Sequence, residues 1–137
     1  MAPARRAERE QEAVCFSFDH PQVTETTAWN IFRVPTGKTF RVDRVDYLNV
    51  TGLAEDTTNV FALALNLDAT EAASWSTDSD LMVADAGIPA DEFMELTLAT
   101  DVADLVCVAD SVVSLVATEG GAATLPAGRV IVHGRYV

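Results

Sequence analysis

Apolar and polar residues alternate in short runs along residues 14–137, and turns rich in proline, glycine or aspartate close these runs. A period of two places successive side chains on opposite sides of an extended chain. Such runs bury one face as strands and cannot do so as helices. Val14, Phe16 and Phe18 alternate with Cys15, Ser17 and Asp19 until His20-Pro21 stops the run. Residues 28–34 form a second strand, with Trp29 and Ile31 on one face and Phe32 and Val34 on the other. Pro35-Thr36-Gly37-Lys38 is a turn, in which proline presets φ and glycine accepts a positive value.

The next run, residues 39–50, slips in phase. Phe40 and Val42 share one face, whereas Val45 and Tyr47 lie on the other. One extra residue at Asp43 or Arg44 restores the register, which predicts a β-bulge there. Residues 52–58 read as a polar loop. In residues 60–67, Phe61, Leu63, Leu65 and Leu67 face a core, and Val60, Ala62 and Ala64 make a shallow second face. That second face either admits another layer or subunit closely or is a thinly covered outer surface. Residues 68–80 are rich in Ser, Thr and Asp and read as a loop carrying Trp75, either a contact residue or a lid.

Residues 92–98 place Met94, Leu96 and Leu98 on one face, and strand-like runs follow at 105–108, 111–118 and 129–137. About eight strands, with no sustained amphipathic helix in the body, predict an all-β fold: an antiparallel β-sandwich, jelly-roll-like. At 137 residues the chain is long enough for one core and too short for two. Residues 14–137 are the β-sandwich domain, and residues 1–13 an N-terminal arm without a large apolar residue except Met1. Extended, the arm would reach roughly 40 Å, enough to touch a neighbouring subunit.

The formal charge is −12, with 21 acidic residues against 9 basic. A surface this negative repels phosphate backbones at the range where association is steered, so nucleic acid is not an expected partner. No apolar run approaches the ~18 residues of a membrane-spanning helix. The basic residues are unevenly placed. Arg5, Arg6 and Arg9 lie in the arm, and Arg33, Lys38, Arg41 and Arg44 fall in one short stretch. That stretch is either a docking patch for an acidic partner or a set of strand residues facing water beside Asp43 and Asp46.

Groups for catalysis are few. Cys15 and Cys107 sit in apolar, strand-like settings and read as two small buried thiols. His20 and His133 are the two imidazoles, too few for a zinc or cupin-type site. A cysteine nucleophile would need one of them brought close by the fold. No G-x-S-x-G elbow or glycine-rich phosphate loop is present. Asp78-x-Asp80 lacks the six to eight oxygens that calcium requires. No enzyme activity, metal or cofactor is expected.

The runs Asp104-Leu105-Val106, Val112-Val113-Ser114-Leu115-Val116, Thr118-Glu119-Gly120-Gly121, Leu125-Pro126-Ala127-Gly128-Arg129 and Gly134-Arg135-Tyr136-Val137 resemble the small β-sandwich decoration, or cement, proteins of tailed-bacteriophage heads. The segment PTGKTFRVDRVDY is similar to them as well. The resemblance implies a structural protein, made in the host cytoplasm, that binds the major capsid protein on the outside of an assembled icosahedral shell. It also implies a homo-oligomer, often a trimer, and arms that lash neighbouring capsomers together. The candidate partner-binding residues, read from the placement of basic residues and the polar setting of the tryptophan, are Arg5, Arg6, Arg9, Arg33, Lys38, Arg41, Arg44 and Trp75. A second reading is a carbohydrate- or receptor-binding module, with Trp29, Trp75, Tyr47 and Tyr136 as the available platform; a third is a neck or tail component of the virion.

Overall fold

The computed structural model describes residues 13–54, 58–68, 70–76 and 87–137. In chain order the strands are β1 (Ala13–His20), β2 (Thr27–Arg33), β3 (Phe40–Asn49), β4 (Leu53–Ala54), β5 (Val60–Leu67) and β6 (Thr70–Ser76). They continue with β7 (Gly87–Ile88), β8 (Phe93–Glu95), β9 (Thr97–Leu98), β10 (Val106–Cys107), β11 (Val112–Gly120) and β12 (Gly128–Tyr136). A 3-10 turn, Val102–Leu105, is capped by Asp101, whose carboxylate accepts from the Ala103 amide.

The first sheet runs β1-β12-β3, with β8 and β10 sharing the far edge of β3. The second runs β2-β11-β5-β6-β9, and all these pairings are antiparallel. The orders β1-β12-β3-β8 and β2-β11-β5-β6 are the two four-stranded halves of a jelly roll. With the small β4–β7 ladder set aside, successive strands alternate between the two sheets except at the β5–β6 hairpin, so most pairings join strands distant in sequence. Among the described residues, no helix is long and apolar enough to cross a membrane.

The core lies between the sheets and follows the period of two. Phe61, Leu63, Leu65 and Leu67 of β5 are buried against Val113, Leu115 and Ala117 of β11 and against Val130 and Val132 of β12. Each such side chain contributes about 1.5–3 kcal/mol on burial. The open end near β1 and β2 is closed by aromatic rings. Phe16 stacks on Phe32 at 3.9 Å between centroids, and Phe40 meets both edge-on.

The predicted bulge is present: His133 pairs with Arg44 and Gly134 with Val42, leaving Asp43 as the extra residue. Two further bulges depart from the sequence reading. Val113 pairs with Phe32 and Ser114 with Asn30, so Ile31 is extra on β2. Trp29 and Phe32 consequently both pack inward, instead of on opposite faces as simple alternation predicts. On β6, Ala72 is the extra residue and is fully buried.

Three assignments are corrected. Residues 70–76 form strand β6 within the stretch expected to be loop, because pairing with β5 and β9 overrides its low strand propensity. The run 92–98 is not one strand: β8 pairs with β3, β9 pairs with β6, and the chain passes between sheets at the buried Leu96. Within the expected 52–58 loop, β4 pairs with β7.

Candidate docking faces

The outer face of the first sheet is a ladder of charge. Parity and register bring Arg41, Asp43, Arg44 and Asp46 of β3 beside Arg129, His133 and Arg135 of β12. Asp43 accepts from Arg135 Nε at 2.8 Å and lies 3.3 Å from an Arg41 nitrogen. Asp46 accepts from Arg44 Nε at 2.8 Å and His133 Nε2 at 3.0 Å, and Arg44 also lies 3.9 Å from Glu95. Arg129 holds Asp19 through two contacts of 2.6 and 3.2 Å. Four arginines thus stand against four carboxylates, and the net deficit of the chain resides elsewhere.

Burial works to raise the Asp43 carboxyl, but hydrogen bonds from Arg135 and Arg41 outweigh it and leave its pKa below the usual carboxylate value. The Arg129 hydrogen bond lowers that of Asp19. Exposed pairs of this type add little to stability, so their main consequence is that these guanidinium groups are already engaged.

The candidate basic stretch is therefore divided by the fold. Arg41 and Arg44 belong to the charge ladder, beside Asp43 and Asp46. Arg33 lies at the end of β2, where its Nε donates to the Asp110 carbonyl at 2.9 Å, and Lys38 is exposed in the turn that follows. Asp110, with φ of 68°, also accepts from the Thr36 hydroxyl and so clasps that turn to the β10–β11 connection. Trp75 lies in β6 with its backbone opposite Leu63, not in a loop. Arg5, Arg6 and Arg9, like Asp78 and Asp80, lie outside the described residues.

The outer face of the second sheet has a different chemistry. Its central strands set Asn30, Ser114 and Asn66 in one row, Ala28, Val116 and Ala64 in the next, and Thr118 beside Ala62. Their neighbours Leu115, Ala117, Leu63 and Leu65 point into the core, which turns these residues outward. None of the eight carries a charge, and none is larger than valine or asparagine. Sequence reading found the Ala62–Ala64 side of this face; its extent across β2 and β11 depends on pairing between strands about 50 residues or more apart.

A polar chain crosses the interior at one end of the sandwich. His20, 2% exposed, continues the inward parity of Val14, Phe16 and Phe18, a signal that was legible in the sequence. Its Nδ1 donates to the Pro21 carbonyl at 2.8 Å, which assigns the neutral tautomer and makes Nε2 the acceptor for the Tyr47 hydroxyl at 2.6 Å. The Trp29 ring stacks on the imidazole with centroids 4.9 Å apart, and the Tyr47 ring lies nearly parallel to it at 5.6 Å. Asn49 donates to Tyr47 at 3.2 Å and to the Pro126 carbonyl at 2.7 Å, while its oxygen accepts from the Gly52 amide. An open cleft of about 360 Å³ lies over this end, bounded by Leu48, Val50, Ala127 and the Asp19–Arg129 pair.

Burial lowers the pKa of His20 and raises that of Tyr47 to about 12. Below about pH 6.5 the unfolded chain binds a proton at His20 that the folded chain resists. This contribution to stability is therefore complete above that pH and is lost as pH falls toward the depressed folded value. The unfolding free energy is expected to decline below pH 6.5, and His20→Gln to be less stable but flatter over that interval. Urea titrations at several pH values check this; equal slopes for the two proteins would refute it.

Tyr47 is fully buried, Trp29 is half-buried against His20, and Tyr136 meets Phe40 edge-on. Cys107 is buried as expected, but Cys15 is exposed. Its apolar neighbours Val14 and Phe16 belong to the opposite face of β1, so local composition misstates its environment. Among the described residues, no group of three or more His, Cys, Asp or Glu side chains is placed to hold a metal ion. The chain matches no family model and no curated protein.

Proposed function

We propose that this protein is a non-enzymatic structural component that binds and stabilises the outside of an assembled phage capsid. The observation that carries the reading is the uncharged patch of eight small residues at the centre of the second sheet's outer face, bounded in register by Arg33 and Glu71, in a chain of net charge −12. Docking removes water from both surfaces, and an uncharged face of small side chains loses little hydration in doing so. A charged face would require each ion to be re-paired across the interface. Small side chains also allow close approach, down to the ~10 Å spacing of packed sheets.

The occupant of this face is the major capsid protein on the shell exterior. A trimer at local threefold positions would multiply modest contacts by avidity. An acidic protein is suited to the outside of a DNA-filled particle, where it does not compete for the genome. The resemblance of the Leu125–Arg129 and Gly134–Val137 segments to decoration proteins supports the same reading.

The experiment is co-sedimentation with empty shells. Wild-type protein is expected to pellet with them. Ala64→Arg, which places an unpaired charge in the middle of the face, is expected to weaken binding by about 2–5 kcal/mol. Its unfolding free energy should change by no more than about 0.5 kcal/mol, as at an ordinary surface site. Failure of the wild type to pellet, or full binding by the variant, would refute the proposal.

A further inference from the structure

The outer face of the first sheet also holds a nucleophile. Cys15 is exposed on β1, an edge strand paired with β12 alone among the described residues. The register sets it directly opposite His133, and the inward positions of Phe16 and Val132 place both residues on the outer face. Directly opposed residues of an antiparallel pair hold their Cβ atoms about 4.5–5.5 Å apart, so rotation about the side-chain bonds brings sulfur and imidazole together.

The neighbouring strand orients the base. Asp46, with its side chain 12% exposed, lies 3.0 Å from His133 Nε2 and accepts from Arg44 through its other oxygen. A carboxylate held by a guanidinium offers lone pairs only, so Nε2 carries the hydrogen. The neutral ring then has its lone pair on Nδ1, and among the described residues no hydrogen bond uses that atom. Thiol, base and orienting carboxylate thus stand on three adjacent strands, the order of groups that activates a cysteine. Arg44 lies opposite His133 and is paired with Asp46, and Arg135 occupies the next outward position of β12 and is paired with Asp43, so the charges around the pair are balanced and the base is what distinguishes this thiol.

We propose that Cys15 is a modification site that forms a mixed disulfide with low-molecular-weight disulfides, with His133 as its base and Asp46 as the positioning residue. The thiol proton passes to His133 Nδ1, and the thiolate attacks one sulfur of the incoming disulfide. The new S–S bond forms as the old one breaks, and the departing thiolate takes the proton back from His133. The disulfide supplies the oxidising equivalent, so no other co-reactant is needed. An open sheet face lets the incoming S–S bond align with the sulfur. This inference is independent of the docking face, which lies on the other sheet.

The test uses the full chain with 5,5′-dithiobis(2-nitrobenzoate), and then oxidised glutathione, as probes. One thiol is expected to react in the native protein, with the adduct on Cys15 by mass spectrometry; Cys107 should react after denaturation alone. Native Cys15 should react at least about tenfold faster at pH 7 than the same cysteine in a peptide of residues 10–20, a modest share of what a positioned base supplies. His133→Gln should remove that advantage and the corresponding inflection of the pH–rate profile. Protection of Cys107 reports that the variant is folded. If it is not, the comparison of native protein with peptide decides alone. Equal rates for native protein and peptide, or an unchanged rate and profile in a folded His133→Gln variant, would overturn the assignment.

Discussion

Asn49→Leu is expected to lower the unfolding free energy by about 3–5 kcal/mol, because it strands several buried polar groups at once. Asn49 is fully buried and bridges three partners: the Tyr47 hydroxyl, the Pro126 carbonyl and the Gly52 amide. Leucine has nearly the same volume and makes none of these bonds. The Pro126 carbonyl and Gly52 amide, in part-buried settings, then lose their Asn49 partner, each at a cost of about 1–3 kcal/mol. Gly52 also has a φ of 76°, and a Cβ there would meet the Ile88 and Ala90 backbone, so this turn is fitted closely against the neighbouring chain. The measurement is equilibrium urea unfolding, with the midpoint falling at constant slope. A loss below about 1 kcal/mol would mean that the polar chain is not holding this end of the sandwich.

Gly134→Ala is expected to cost about 3 kcal/mol, at the upper end for overpacking a core by one carbon. Gly134 sits beside the bulge at Asp43, and a Cβ there would meet the Arg41 carbonyl and the Phe40 ring. Phe40 is fully buried and wedged among Phe16, Phe32 and Tyr136, so it has no room to retreat. Gly37→Ala provides the contrast. That glycine has φ of 79° with nothing near the added carbon, so conformational strain alone applies, about 1 kcal/mol. Equal losses at the two positions would show that the backbone at Gly134 relaxes away from β3.

The two variants mark where sequence reading succeeds and where it stops. The phase slip between Val42 and Val45 made the Asp43 bulge legible, because both arms of the strand were long enough to show their own parity. The Ile31 bulge was not legible: it lies two residues from the end of β2, and the apolar residues on either side mask the change of face. The inward parity of Val14, Phe16 and Phe18 extends to His20, where the sequence reading ended the run, yet its partner Tyr47 arrives from β3, and Asn49 of the same strand links Tyr47 to the Pro126 carbonyl in the turn before β12. Residues 70–76 have weak strand character of their own and became a strand because β5 presented a free edge.

The docking face and the Cys15–His133 pair show the same division. Alternation alone determined that this chain forms strands, which residues turn inward along most of them, and that the result is a two-layer β fold. Tertiary structure decided that β12 lies between β1 and β3, and that β11 lies between β2 and β5. Those insertions spread an uncharged face over three strands and bring residue 15 opposite residue 133. The physical reason is one of range: the pleat acts between neighbours along the chain, whereas strand order follows from burying all the inward faces in one core.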